Sequence, residues 1–207
     1  MPRIARGEDI PMNKDDIILP EPRAEGIRSV EEAMRDRRSV RSFDSRELTE
    51  EQVSQLVWSA QGVTDSRHGY RAVPSAGALY PLEVFLVKSD GVFRYIPDRH
   101  ALHRMSGANV KTDLTKACWG QSFVGQAPVA IVIGAVYERV TKRYGQRGVR
   151  YTDIEVGHAG QNISLQAVAL GLSTVMIGAF DDSAVSKVLA LPKDVQPLYV
   201  IPVGYKK

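Results

Sequence analysis

From residue 49 onward, Val53, Leu56, Val57 and Ala60 recur at three- and four-residue spacing. That is one stripe of a helix, opened by Thr49 with Gln52 three residues on and followed by Gly62 as its C′ residue. An earlier helix starts from the capping box Ser29-Val30-Glu31-Glu32 and carries Val30, Ala33, Met34 and Arg37 along one side. The period then changes. Leu82 to Lys88 and Val92 to Ile96 read as two strands joined by Ser89-Asp90-Gly91, a hairpin signal. Residues 98–109 read as a polar connection, and a short helix around 113–120 places Leu114, Ala117 and Cys118 together. The unbroken apolar run 128–136 predicts a central strand covered on both faces.

The longest helical pattern covers 149–172 and ends at Gly171, with Ile154, Leu165, Val168, Ala169 and Leu172 as its apolar positions. Its middle, Gly157-His158-Ala159-Gly160-Gln161-Asn162, is small and partly polar, although each glycine costs a helix interior about 1 kcal/mol relative to alanine. Another helix crossing closely there explains the small residues, either from the same core or from a second subunit. Thr174 to Ile177 reads as a strand. Asp182 or Ser183 caps a helix carrying Val185, Val188 and Leu189 and ended by Pro192, and Leu198 to Gly204 is the last strand. Residues 1–26 hold Pro2, Pro11, Pro20 and Pro22 and predict an extended arm ahead of a domain at 27–207. The sum is an α+β architecture, helices around a mixed sheet.

Composition narrows the function. The 207 residues carry 27 cations against 24 acids, a net charge of only +3, with 43% hydrophobic residues. This balance argues against a nucleic-acid binder, which concentrates basic residues with interleaved aromatics. No apolar run approaches the roughly 20 residues that span a bilayer. One cysteine, Cys118, excludes an intramolecular disulfide and a cysteine-based zinc cluster, so a reducing cytoplasm is the expected location. His100 and His103 lie three apart without a third ligand at metal-like spacing, so no metal site is expected.

The candidate chemistry begins at Arg37-Arg38-Ser39-Val40-Arg41-Ser42-Phe43, three permanent cations and two hydroxyls at a helix end. Guanidinium forks and hydroxyls suit phosphate oxygens; a solvated charged helix end is the plainer alternative. The long loop 63–81 contains Pro74-Ser75-Ala76-Gly77-Ala78-Leu79-Tyr80-Pro81, small and proline-bounded, fit either to cover a flat ligand or to turn at the surface. The phosphate loop, the dinucleotide fingerprint and the nucleophile elbow are all missing from the sequence.

Taken in order, these segments resemble the nitroreductase-like FMN-dependent oxidoreductases, and within them the SagB-type dehydrogenases. The anchors are Leu19-Pro20-x-Pro22, Ser29-x-Glu31-Glu32-Ala33, Arg37-Arg38-Ser39-x-Arg41, the Pro74-to-Pro81 loop, Glu155-x-Gly157-His158-x-x-Gln161-Asn162 and Gly178-Ala179-Phe180. The resemblance implies a nitroreductase-like α+β fold, a mixed and largely antiparallel sheet flanked by helices, in an intertwined homodimer with FMN at the interface. It implies Arg37, Arg38 and Ser39 on the FMN phosphate, with Lys206, and perhaps Lys207, completing that site. Arg41 would face the pyrimidine side of the flavin, while Pro74, Ser75, Ala76, Gly77, Ala78 and Leu79 cover the ring from the partner subunit. Ile177, Gly178 and Ala179 would sit at flavin N5, with the Gln121 amide near the ring.

The implied activity is ping-pong hydride transfer from NAD(P)H to a nitro, quinone or similar small acceptor. Dehydrogenation of an azoline-containing peptide and flavin storage without turnover are the alternatives. Azoline-oxidising relatives are associated with a Lys-Tyr pair. The nearest match here, Lys142 with Tyr144 in Lys142-Arg143-Tyr144, is a candidate for proton transfer or a solvated basic turn.

Overall fold

The structure, a computed structural model, describes Lys14 and residues 16–207. In chain order its strands are β1 (Ile17–Ile18), β2 (Val63–Asp65), β3 (Tyr70–Arg71), β4 (Leu82–Lys88), β5 (Gly91–Ile96), β6 (Ala101–Ser106), β7 (Val129–Ala135), β8 (Ser173–Thr174) and β9 (Gln196–Gly204). The helices are α1 (Val30–Asp36), α2 (Glu50–Gln61), α3 (Lys111–Ala117), α4 (Ser122–Gln126), α5 (Glu138–Tyr144), α6 (Arg147–Ala169) and α7 (Asp182–Leu189). Seven strands form one sheet in the order β1-β6-β5-β4-β7-β9-β8, and β2 pairs with β3 apart from it. All the strand pairs are antiparallel; a single parallel bridge, Ser39 to Thr174, lies outside them.

Both faces of the sheet are covered, which is why its central strands read as continuous apolar runs. Val84 and Leu86 of β4, with Ile131 and Ile133 of β7, turn towards Leu56 and Val57 of α2 and Ala159 and Ile163 of α6. The alternate residues Phe85, Val87, Ala130 and Val132 turn the other way, onto Leu114 of α3, Val124 of α4 and Val185 and Leu189 of α7. Complete burial of each large apolar side chain is worth about 1.5–3 kcal/mol, so two such layers hold the sheet firmly. Among the described residues no helix is long and apolar enough to cross a membrane.

Several expectations change. The polar connection at 98–109 contains a strand, β6, paired with β5 along its length and with β1 at its apolar start, Ala101 and Leu102. The helix α7 is capped by Asp181, one residue before the expected position, and its carboxylate accepts from the Ala184 N–H at 2.9 Å. It ends at Ala190 in the left-handed conformation, short of Pro192. Gly62 has φ −62°, so it is not a left-handed C′ residue. Its smallness is needed because a Cβ there would collide with the Trp58 ring. Only Ala33 of the first helix is buried; Val30 and Met34 face outward. The strand expected over 174–177 is two residues long, with Ile177 making a separate bridge to Val200. The helices α4 and α5 have no counterpart among the expected elements.

The arm expected over residues 1–26 extends beyond the described residues at its start. From Asp16 onward it lies on its own subunit. Leu19 N–H donates to the His100 carbonyl (3.0 Å), and Arg23 exchanges hydrogen bonds with the Gln55 amide (2.9 and 3.0 Å). His100 is part of that attachment. The Pro20 carbonyl can only accept, so His100 Nε2 carries the proton (3.0 Å) and Nδ1 accepts from the Tyr95 hydroxyl (2.8 Å). Burial pushes this imidazole below its ordinary pKa, which agrees with the neutral form. His103 instead meets Asp16, 2.7 Å away.

Candidate functional site

The segment after α1 leaves the helix at Arg37 and runs extended beside two strand ends. Ser39 bridges Thr174 of β8, Val40 N–H donates to the Thr174 carbonyl (3.1 Å), and Phe43 bridges Lys206 just past β9. Lys207 N–H then donates to the Ser42 carbonyl (3.2 Å). Backbone pairing therefore brings Arg37, Ser39, Arg41 and Lys206 to one end of the sheet, although 160 or more positions separate Arg41 from Lys206 in the chain. Arg38 folds back on α1, its Nη1 donating to the Arg35 and Arg37 carbonyls (2.9 and 2.7 Å). No hydrogen bond or ion pair to a described residue occupies the side chains of Arg37, Arg41 or Lys206. Among the described residues nothing neutralises these cations, and the helix C-terminus beside them attracts rather than repels positive charge. An anion held here is held by side chains.

The turn after β8 lies along the same edge of the sheet, where Ile177 pairs with Val200 midway along β9. Ile177 is spent on structure: its N–H and carbonyl both pair with Val200 and its side chain is buried among the α7 residues. Gly178 and Ala179 are exposed, and neither N–H donates to a described residue. Gln121 reaches this turn, its Nε2 donating to the Ala179 and Cys118 carbonyls at 2.9 Å each. Asp181 N–H, donating to the Ala117 carbonyl (2.9 Å), fastens the turn from the other side. The result is a short exposed stretch of backbone with two free donors, held at both ends. Cys118 is buried beneath it, and burial pushes its thiol up to about 11, the behaviour of an inert core residue.

The Pro74-to-Pro81 loop is placed elsewhere, against α5 and α6, and no hydrogen bond joins it to the Arg37–Arg41 segment. Gly77, Ala78 and Tyr80 all have positive φ, at 64°, 54° and 47°, a strained conformation for the last two that surrounding contacts must enforce. Ser75 Oγ accepts from the Tyr80 N–H (2.9 Å), and Arg139 Nη1 of α5 donates to the Tyr80 carbonyl (3.0 Å). A Cβ on Gly77 would stand 2.7 Å from the Tyr144 hydroxyl and 3.1 Å from Arg143 Nη1. Ala76, Ala78 and Leu79 stay half-buried, while Pro74 is exposed. Of the pair Lys142 and Tyr144, only Tyr144 touches this loop. Lys142, two residues earlier on the helix, points to solvent and pairs with Glu138 (3.1 Å).

One group at the loop was absent from the sequence-based set of site residues. Glu155 of α6 is 2% exposed, and neither carboxylate oxygen accepts a hydrogen bond from a described residue. Burial raises its pKa to about 7, against smaller downward effects of Ser75 and Arg71. A carboxylate within an otherwise small and apolar helix face was the available signal.

Comparison with known proteins identifies the family. The pattern defining the Nitroreductase family matches residues 34–205. MJ1384 of Methanocaldococcus jannaschii, a nitroreductase by name, is 43% identical over 183 residues, covering 86% of this chain and 91% of that protein. The microcin B17-processing protein McbC of Escherichia coli is 30% identical over 169 residues, covering 76% of this chain but 62% of McbC. Among solved structures, a protein named as a nitroreductase from Ralstonia eutropha JMP134 superposes with a TM-score of 0.84 at 28% identity, covering 93% of this chain and 90% of that one.

Proposed function

The chain belongs to the nitroreductase family, and from that premise we propose that it is an FMN-dependent oxidoreductase with NAD(P)H as donor and a small nitro, quinone or similar acceptor. The observation that carries this reading is the sheet edge along which the side chains of Arg37, Arg41 and Lys206, unpaired with any described residue, stand with Ser39 and the free N–H groups of Gly178 and Ala179. Those residues fit the group. Arg37, Ser39 and Lys206 would take its phosphate, two cations and a hydroxyl against a charge near −2. Arg41 would lie against the pyrimidine side of the ring, where a fixed cation favours electron uptake. Gly178 and Ala179 would present N–H donors at the reactive edge, kept in place by Gln121. Bound FMN supplies the redox chemistry, accepting and releasing hydride at N5.

The site is completed from a second subunit in this proposal. On α6 the exposed residues Ile154, Gly157, His158 and Gln161 share one face at helical spacing, and no atom approaches a Cβ built on Gly157 within 4 Å. Val30 and Met34 of the adjoining α1 are exposed as well. An apolar and small-residue face with no described residue upon it suits a close helix crossing in a homodimer, bringing the Pro74-to-Leu79 loop to the partner's flavin.

A second reading, oxidation of an azoline-containing peptide as in the SagB-type branch, is favoured by the similarity to McbC and by Tyr144 resting on the Gly77 loop. Purified protein is expected to be yellow or to take up FMN on reconstitution, and to reduce a nitro or quinone acceptor with NAD(P)H. Failure to bind FMN overturns the proposal; turnover of a thiazoline or oxazoline peptide instead selects the second reading. Light scattering at micromolar concentration is expected to find a dimer. Gly157→Leu, for which the subunit has room, should give folded monomer; an unchanged dimer would remove this face from the interface.

A further inference from the structure

The end of α5 and the start of α6 carry a further set of cations that no described residue neutralises. Arg143 lies over the ring of Tyr144 (5.4 Å to its centroid), Tyr144 meets Tyr151 edge to face (5.3 Å), and Arg147 lies over Tyr151 (5.8 Å). These four side chains form one continuous row, and Arg150 is exposed one turn beyond Arg147. One end of the row reaches the Pro74-to-Pro81 loop, where Arg143 Nη1 and the Tyr144 hydroxyl close around Gly77. The acids of the two helices are Glu138, Asp153 and Glu155. Glu138 pairs with Lys142 (3.1 Å), Asp153 accepts from the Tyr137 hydroxyl, and Glu155 is buried on the side of Ser75 and Arg71. No carboxylate of a described residue lies within 4.0 Å of Arg143, Arg147 or Arg150, and none of the three guanidiniums donates a hydrogen bond to a described residue. Arg147 opens α6 and Arg150 follows within its first turn, which holds no acid. The positive end of a helix disfavours cations there.

An arginine stacked on an aromatic ring holds its fork in one orientation and keeps its N–H groups free, the arrangement that takes a phosphate through two parallel hydrogen bonds. Arginines so held, beside two tyrosine rings, fit a phosphate monoester carried on a flat ring system. An acidic peptide would supply carboxylates without a ring for Tyr144 and Tyr151. We propose that this row binds the adenosine 2′-phosphate of NADPH and so selects NADPH over NADH as the donor. The inference rests on the reading of the chain as an FMN-dependent oxidoreductase, in which the adjoining loop covers the flavin and hydride comes from a nicotinamide dinucleotide. The two donors differ only in that phosphate, whose charge is near −2 and which lies far from the reacting carbon. Cations that flank the loop can therefore discriminate between them without touching the chemistry.

The test uses the full chain supplied with FMN. Calorimetry should find NADP+ bound at least about tenfold more tightly than NAD+, a preference that shrinks as salt is raised. Arg143→Ala and Arg147→Ala should each remove most of that preference, and Arg147→Lys, which keeps the charge without the fork, should retain part of it. Both arginines are exposed, so Tm should hold in these variants. The ratio of kcat/KM for NADPH over NADH should fall in parallel, through KM. Equal affinity of the unaltered protein for NAD+ and NADP+ overturns the proposal. So does a preference that survives replacement of Arg143 and Arg147 together by alanine. A protein that takes up no FMN fails the oxidoreductase reading, which its absorbance shows at once; its NADP+ preference, measured in the same way, still decides the 2′-phosphate site.

Discussion

Two of the chain's arginine clusters differ in every physical respect. Arg37, Arg38 and Arg41 come from one stretch of sequence, stand at the surface, and leave two of three guanidiniums free. Arg71, Arg94 and Arg139 come from three separate elements and are half-buried; Arg94 and Arg139 pair with Glu83, and Arg71 contacts Gln61 and Tyr80. The exposed cluster contributes little to the fold, because water solvates each cation at no structural cost. The buried one cannot lose a member without leaving a charge stranded in low dielectric. Free surface charge is available for a ligand; buried charge is committed to architecture.

The contrast can be broken most directly at Glu83. Glu83→Ala strands Arg94 and Arg139 together, and urea denaturation should register a loss of about 3–5 kcal/mol. A loss near zero would mean that the buried cluster is no more structural than the exposed one. Next in size is the pH dependence that Glu155 imposes. Its pKa rises from 4.5 to about 7 on folding. The folded state therefore binds the proton more tightly, and this contribution is fully present below pH 4.5. It is lost as pH rises through 7, up to about 3 kcal/mol if burial is complete. Glu155→Gln should flatten the decline in urea midpoint between pH 4.5 and 7; an unchanged slope would show that some other group titrates.

Arg41→Ala, in the exposed cluster, should leave stability within about 0.5 kcal/mol. It should weaken FMN by roughly tenfold or more, the worth of a charged hydrogen bond, and slow flavin reduction. Unaltered binding and reduction kinetics would remove Arg41 from the proposed site. The smallest effect belongs to Lys142, a surface cation already paired with Glu138. Lys142→Ala should shift stability by less than about 0.5 kcal/mol, and a large loss of turnover would instead assign it a direct part in the chemistry.

How much of this was legible beforehand follows from the range of the forces. The capping boxes at Ser29 and Thr49 stand where their sequences place them, because a cap needs only residues three apart. The hairpin across Ser89-Asp90-Gly91 and the run at 129–135 are local for the same reason. The strand β6 was hidden, since Ala-Leu-His-Arg-Met-Ser carries polar residues that only a position near the sheet edge makes acceptable. Likewise α1 has an apolar side in sequence that the single chain leaves exposed, and no local rule says whether such a side meets a core or another subunit.

By itself, then, the sequence determined the helices and strands whose signals lie within one turn or one hairpin, and the presence of free cations at residues 37–41. The tertiary structure decided which distant groups join them. It paired Phe43 with Lys206, set Gln121 on Ala179, and left Arg71 beside an unpaired Gln61 amide. Those meetings depend on sheet order and on burial, quantities that belong to the packed chain as a whole and are carried by no short stretch of it.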